Sequence, residues 1–483
     1  MTTTKKPHIL VIPLPQFGHM LPHIDLTHQL LLRGATITVL VTPKSYPYLD
    51  PLRLHDPLVD FLNHQPPSDL PDVILGSSFL SPWINKVADA FPLKSICFLP
   101  INAHAISTLW GQEDRGFFDE FETATTESYG LVVNTFYELE PELRVLQPCL
   151  RLTTAFGPSD RCLQLKQAST AAEAAPSHQR LAWLDTCSED NSVVYIAFGS
   201  QIRLTVEQTA ALAAALETSA MRFIWAVRDA AMKVNSGDNY GDDVDVIPAG
   251  FEERVKDKGL VIRGWAPQTM ILEHRAVGSY LTHLGWGSAL EGMVGGVVML
   301  AWPMQAGHFY NAKLLIDDLG VAARVGENKD SVPDSGKLAR VLADSVKDDF
   351  PERVRLMKLR EKGMEAIQEG GSSYNNLDEL VAEMCYLGKS PCRQSEVGNL
   401  TTRKVSKIFW KVVAGHDLRL SVGKEVHRQF VGNLPTIFFR IRKWLLERNE
   451  AFPTMLFTNN VVKMYFEAER SLVQLNHHAK VPV

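Results

Sequence analysis

Short apolar runs alternate with longer stretches of helical periodicity along most of this chain. Residues 8–14 form one such run, and residues 21–33 repeat their apolar positions with a helical period until Gly34 stops them. Residues 35–42 form a second apolar run, ended by Pro43. Strand, helix and strand of these lengths predict a right-handed parallel βαβ unit. Residues 72–76, 95–99 and 130–133 are read as further buried strands, so the first part of the chain is doubly wound α/β.

An Ala/Ser/Thr-rich stretch at 168–177 has no periodicity and reads as a linker. A second α/β series follows it: strand 193–198, helix 205–218, strands 222–227, 260–263, 276–282 and 296–301. Between them, 234–246 carries Gly237, Gly241 and four aspartates and reads as an exposed loop. A helix is also predicted at 376–384. Two α/β domains result, at 1–175 and 176–384, with 385–483 as an extension.

Composition changes this picture little. The 483 residues are 45% hydrophobic and 22% charged, ordinary for a globular protein. The net charge of −6 argues against nucleic acid as a partner. It is unevenly spread: from residue 391 onward 15 Lys/Arg face 7 Asp/Glu, a net +8. Within that extension, 434–446 is apolar with a basic cluster; it reads as a helical appendage, with a membrane-surface helix as the competing reading. The six cysteines lack metal-finger spacing and no run is long enough to span a bilayer, so a cytoplasmic protein without membrane insertion is expected.

The chemistry gathers around the strand at 276–282. It runs into His283-Leu-Gly-Trp-Gly-Ser288 and a helix start at 289–294. Unpaired N–H groups at a helix start carry partial positive charge and suit a phosphate. Ser288 can cap that start or donate from its first turn, and His283 can donate beside it. Ser288 and Glu291 share a helix face, so Glu291 can accept from ribose hydroxyls. Gly199-Ser200, after the strand at 193–198, forms a loop on the same side. Trp265 offers a flat face for a base.

The ordered set Trp265-Ala-Pro-Gln268, His283-Leu-Gly-Trp-Gly-Ser288, Glu291 and Gly307-His308 resembles the signature box of plant family 1 UDP-glycosyltransferases. The resemblance extends from His8 to about Met384 and implies the glycosyltransferase-B fold, two Rossmann-like domains facing a cleft. It assigns uracil stacking to Trp265, a backbone contact with the base to Ala266, and the ribose to Gln268 and Glu291. His283 and Ser288 fall at the diphosphate with the Ser200 loop beside it, Trp286 and Gly287 are also assigned to donor binding, and Gly307 and His308 fall at the sugar. In Pro13-Leu-Pro-Gln-Phe-Gly-His19 the histidine matches the general base that activates an acceptor hydroxyl for inverting attack on the anomeric carbon.

The expected reaction moves a hexose, with glucose as the expected sugar, from a UDP-sugar co-substrate to a small hydroxylated plant metabolite such as a flavonol. A histidine at the place of His308 is associated with galactose in some relatives, which leaves the sugar open. The resemblance implies no metal and no further cofactor, and a monomer is expected. A nicotinamide dehydrogenase is disfavoured, because the first strand leads into Phe17-Gly-His19 without a G-x-G-x-x-G turn.

Four departures weaken the match. Ser77 stands where relatives carry an aspartate that stabilises the charged base, Gly307 replaces an aspartate that holds sugar hydroxyls, and Leu284 and Gly287 replace a cysteine and an asparagine. The span between residues 42 and 72 leaves room for one helix at most, at 52–64 with Pro57 inside it, where relatives have a further strand and helices. A catalytically impaired sugar-nucleotide-binding paralogue is therefore the alternative reading.

Overall fold

The computed structural model describes residues 6–14, 16–40, 71–90, 93–110, 117–141, 153–155, 181–227, 247–305 and 307–388. The linker at 168–177, the loop at 234–246, the helix at 52–64 and all but the first four residues of the extension at 385–483 lie outside them, as does the boundary drawn at 175; the other boundary, at 384, falls inside the helix Ser372–Leu387.

Two six-stranded sheets, parallel throughout, organise the described residues. The first contains β1 (His8–Ile12), β2 (Thr36–Val39), β3 (Val73–Ser77), β4 (Lys94–Leu99), β5 (Gly130–Val133) and β6 (Thr153–Ala155), in the order β2-β1-β3-β4-β5-β6. The second contains β7 (Val193–Ala197), β8 (Arg222–Val227), β9 (Gly259–Arg263), β10 (Val277–Thr282), β11 (Val298–Ala301) and β12 (Ala322–Arg324), ordered β12-β11-β10-β7-β8-β9. Every residue of β3, β7 and β10 is buried. Strands covered on both faces need continuous apolar sequence, which is why these runs lack an alternating pattern.

Each sheet has one place where the chain reverses its direction of travel. In the first, β2 lies on one side of β1 and β3 on the other; in the second, β8 lies on one side of β7 and β10 on the other. Ligands in open α/β sheets collect at such switch points, beyond the carboxyl ends of the strands. His19 follows β1 and Ser77 ends β3. Gly199 follows β7 and His283 follows β10. All four belong to the two switch points.

Helix boundaries depart from the sequence reading in two functional places. The first helix spans Phe17–Leu32, starting four residues before the periodicity does; its extended N-cap, Gln16, makes no side-chain capping bond. His19 is therefore in the first helical turn, and Pro22 is inside the helix. The helix after β10 spans Trp286–Gly295 and begins at Gly285, again without a side-chain cap. Ser288 is its third residue rather than its opener. By contrast Thr205 and Gln208 form a capping box at the start of Val206–Thr218, close to the predicted bounds.

The helix Ser372–Leu387 follows the second domain in sequence but packs on the first sheet. Leu377, Leu380 and Met384 join a core with Ile9, Val11, Leu26, Val73, Leu75 and Phe98. Arg33 Nε donates to Asp378 Oδ1 at 2.7 Å, and the Tyr129 hydroxyl donates to Glu383. The last described helix thus ties the two domains together.

Candidate active site

His19 and Ser77 meet across the β1–β3 switch point. His19 Nδ1 lies 3.0 Å from Ser77 Oγ. If Nε2 is to accept a proton, Nδ1 must carry one, so Nδ1 donates to the serine hydroxyl in the reactive tautomer. The ring keeps some accessible surface and stands edge-on to Phe79 at 5.1 Å. Burial, with the nearby His23 as a smaller cause, pushes the His19 pKa down to about 3. A carboxylate would oppose that shift, and Ser77 cannot. The ring is therefore a weak proton acceptor.

His23, one turn further on, is 1% exposed and donates from Nδ1 to the His19 carbonyl at 2.8 Å. It stacks edge-on against Phe98 at 4.6 Å, and burial lowers its pKa to about 4. It buttresses the turn that carries His19, a role no sequence motif marks.

The turn after β10 is built from backbone restrictions. Leu284 is fully buried with φ of 62°, a left-handed conformation rare for a residue with a branched side chain. Thr282 Oγ1 accepts from its N–H at 3.1 Å, and Asn311 Nδ2 donates to its carbonyl at 2.8 Å. Strain of this kind persists where surrounding bonds over-determine it, and it collects at functional turns. The turn brings His283 against Gly199 and Gly285. A Cβ on Gly199 would lie 2.7 Å from the imidazole, and one on Gly285 would lie 2.6 Å from Nε2. Gly199 also needs its φ of 70°. Burial lowers the His283 pKa to about 4, so the ring is neutral and donates through one nitrogen. Ser200 is half-buried in the loop beyond Gly199.

Gln268 organises the next part. Its Oε1 accepts from the Tyr280 hydroxyl at 2.9 Å and from the Tyr195 hydroxyl at 3.4 Å. That fixes its amide orientation, and Nε2 donates to Glu291 Oε2 at 2.5 Å and to Ser288 Oγ at 3.4 Å. Gln268, Ser288 and Glu291 are therefore one hydrogen-bonded group. Tyr195 and Tyr280 stack at 5.1 Å beneath it; both are buried and neutral, and sequence reading passed over them. Trp265, after β9, is 58% exposed, so part of the indole is accessible from solvent. Ala266 is half-buried beside it.

One expected donor residue turns its side chain elsewhere. The Trp286 indole is 5% exposed and sits in a core with Phe136, Leu139 and Leu290. Its Nε1 donates to the Asn134 carbonyl at 2.5 Å, so the side chain joins the domains and leaves only its backbone for a ligand. Gly307 begins the short helix Gly307–Ala312, and a Cβ there would meet nothing within 4 Å. The same is true of Gly287 and Gly18. His308 lies 4.7 Å from His283, ring to ring, and its Nδ1 accepts from the Gln305 N–H at 3.2 Å. Its proton is therefore on Nε2, as a donor. Burial, then His283, holds its pKa well below the usual value. Among the described residues no cluster of three His, Cys, Asp or Glu could hold a metal, and no helix is long and apolar enough to cross a membrane.

Two parallel α/β domains with polar groups at both switch points match the GT-B fold of UDP-sugar glycosyltransferases. The family described as UDP-glucoronosyl and UDP-glucosyl transferase matches residues 158–347. The flavonol 7-O-rhamnosyltransferase of Arabidopsis thaliana is 65% identical over 437 residues, covering 80% of this chain and 99% of that protein. An alignment of 437 positions that uses four-fifths of 483 residues leaves part of the relative without a counterpart here. The flavonol 3-O-glucosyltransferase UGT89B1 of the same plant is 35% identical, covering 79% of this chain and 97% of its own. Among solved structures, Arabidopsis thaliana UGT89C1 complexed with UDP-L-rhamnose is 62% identical with a TM-score of 0.69, covering 79% of this chain and all of that one. Its quercetin complex is 62% identical with a TM-score of 0.67, at the same coverage. The chain belongs to the plant family 1 UDP-glycosyltransferases.

Proposed function

We propose that this protein transfers L-rhamnose from UDP-L-rhamnose to the 7-hydroxyl of a flavonol, with inversion at the anomeric carbon. The 65% identity to a flavonol 7-O-rhamnosyltransferase over nearly its whole length supports the donor and the acceptor together. It moves the reading from glucose, the sugar the signature box alone suggested, to a 6-deoxy sugar. Rhamnose has a methyl group where glucose has a hydroxymethyl, so it has one fewer hydroxyl to satisfy. Gly307, which offers no side-chain acceptor, suits such a sugar better than a fully hydroxylated one.

The uracil lies on Trp265, the ribose diol meets Glu291 and Gln268, and the diphosphate meets His283, Ser288 and the N–H groups at the start of Trp286–Gly295. These neutral donors and the helix start stabilise the charge that grows on the leaving diphosphate. His19 takes the acceptor proton at Nε2. The flavonol 7-hydroxyl is a phenol para to a carbonyl-bearing carbon and is correspondingly acidic. A weak base can deprotonate it more readily than it could an aliphatic alcohol.

The observation that carries the reading is the contact between His19 and Ser77 on a helix packed against Trp286–Gly295, the donor helix. Because that contact lacks a carboxylate, it also favours a second reading, a sugar-nucleotide binder with little turnover. One experiment separates them. The full chain is incubated with quercetin and UDP-L-rhamnose, UDP-glucose or UDP-galactose in turn, and products are identified by mass spectrometry. A deoxyhexosyl flavonol formed fastest from UDP-L-rhamnose is expected. A hexosyl product in excess of it rejects the donor assignment, and UDP binding without any product supports the second reading.

A further inference from the structure

The strained turn at Leu284 is held by a chain of amides that begins in the other domain. Asn102, fully buried at the start of Ala103–Trp110, caps that helix through Oδ1, which accepts from the Ala105 N–H at 2.6 Å. That bond fixes which end of its carboxamide faces outward. Asn102 Nδ2 then donates to Asn311 Oδ1 at 2.7 Å, and Asn311 Nδ2 donates to the Leu284 carbonyl at 2.8 Å. Asn311 is 3% exposed. Each amide has one orientation compatible with the next, so the sense of the whole chain is set by the helix cap. A second tie joins the same turn to the first domain, from Trp286 Nε1 to the Asn134 carbonyl. The helix cap is itself locked: Glu140 accepts from the N–H groups of Ala103 and His104 at 2.9 and 2.6 Å.

We propose that Asn102 and Asn311 are positioning residues for the donor site: their ordered amide pair holds Leu284 in its left-handed conformation and so aims His283 and the start of Trp286–Gly295 at the diphosphate. Neither side chain is placed to touch substrate. Their effect passes through the Leu284 carbonyl, one peptide from His283 on one side and one from the helix cap Gly285 on the other. Because the relay starts beside β4 in the first domain, the donor turn is oriented by the domain that carries His19. Buried amide networks are worth most when every member is paired, and an unpaired carbonyl within one is costly.

Asn102→Asp is the discriminating change. Aspartate remains a good helix cap and still accepts from Ala105. When ionised, its outer oxygen can only accept, so Asn311 must turn its Nδ2 toward it and withdraw the donor from Leu284. Asn102→Ser also keeps the cap but is too short to reach Asn311, leaving that amide free to rotate. UDP alone is the probe, titrated by calorimetry into each full-length variant, so the result is independent of the sugar used. We expect UDP to bind about tenfold more weakly to Asn102→Asp, the effect of one lost buried hydrogen bond, and more weakly to Asn102→Ser as well. The donor KM should rise while the acceptor KM does not. In the double variant Asn102→Ser with Asn311→Ala, affinity should match Asn311→Ala alone, since Asn102 acts only through Asn311. UDP affinity within about twofold of wild type in both single changes at Asn102, or fully additive losses in the double variant, would overturn the proposal. If Asn102→Asp does not fold, Asn102→Ser and the cycle decide.

Discussion

Replacing Ser77 with aspartate should strengthen the catalytic base. In the wild type, Nδ1 of His19 faces a hydroxyl at 3.0 Å and the ring titrates near pH 3. A carboxylate at that distance favours the imidazolium and raises a partner's pKa by about 1–3 units. The acid limb of the rate profile should then move from about pH 3 toward pH 4 to 6, nearer the range where a general base works best. Loss of the corresponding aspartate from a Ser-His-Asp triad costs about 10⁴ in kcat, which bounds the gain from above. The opposing term is burial: Ser77 has no exposed surface, and an ionised side chain there costs several kcal/mol unless it is paired. Its partner would be the charged form of His19, so the benefit is largest in the transition state, where that charge exists. A gain of about tenfold to a thousandfold in kcat is the expected net result. The assay is UDP release with UDP-L-rhamnose and quercetin from pH 4 to pH 9, with UDP affinity and thermal midpoint measured alongside. A variant that binds UDP normally, keeps its midpoint and shows neither faster turnover nor a displaced acid limb would refute the assignment of His19 as base.

Other consequences are open to measurement. Gly285→Ala, at a φ of −60° that alanine accepts, puts a Cβ 2.6 Å from His283 Nε2 and should weaken UDP binding about tenfold through the displaced ring, with the fold intact; unchanged calorimetric affinity would contradict this. Trp265→Ala should lose about 1–3 kcal/mol of UDP affinity and leave the thermal midpoint unaltered, because the indole is 58% exposed; a lowered midpoint with full affinity would make it a structural residue. Four histidines (19, 23, 283 and 308) are held neutral, with folded pKa values lowered from 6.5 to about 3, about 4, about 4 and well below the ordinary value. The unfolded chain binds those protons first, so their stabilising contribution is complete above about pH 6.5 and is lost as pH falls toward 4. Denaturant titrations at pH 7, 6 and 5 should show stability falling stepwise, and a flat profile would show that these rings are not held neutral.

Strands were legible wherever burial on both faces demanded an unbroken apolar run, as at β3, β7 and β10. Part of the proposed donor group was legible for a different reason: order and spacing along one segment bring Gln268, Ser288 and Glu291 into one hydrogen-bonded group. Helix starts failed where the N-cap makes no side-chain bond, at Gln16 and Gly285, because neither position carries the Ser, Thr, Asp or Asn that marks a cap in sequence. Trp286 was read toward the donor, and its indole instead crosses to Asn134, a partner 152 residues away. Asn102, Asn311, Tyr195 and Tyr280 escaped notice for the same reason. A buried amide or hydroxyl is defined by its partner, and the partner lies on another element. The return of Ser372–Leu387 to the first sheet is likewise a matter of packing between distant residues, with no local signature.

The decisive measurement is a crystal structure of this protein with UDP bound, refined beside the Trp265→Ala and Ser288→Ala variants' calorimetry. Pyrophosphate oxygens within hydrogen-bonding distance of His283, Ser288 and the first N–H groups of Trp286–Gly295, with uracil flat on Trp265 and weakened binding in both variants, is the predicted result. A nucleotide bound away from the β7–β10 switch point, or unchanged affinity after both substitutions, would contradict it.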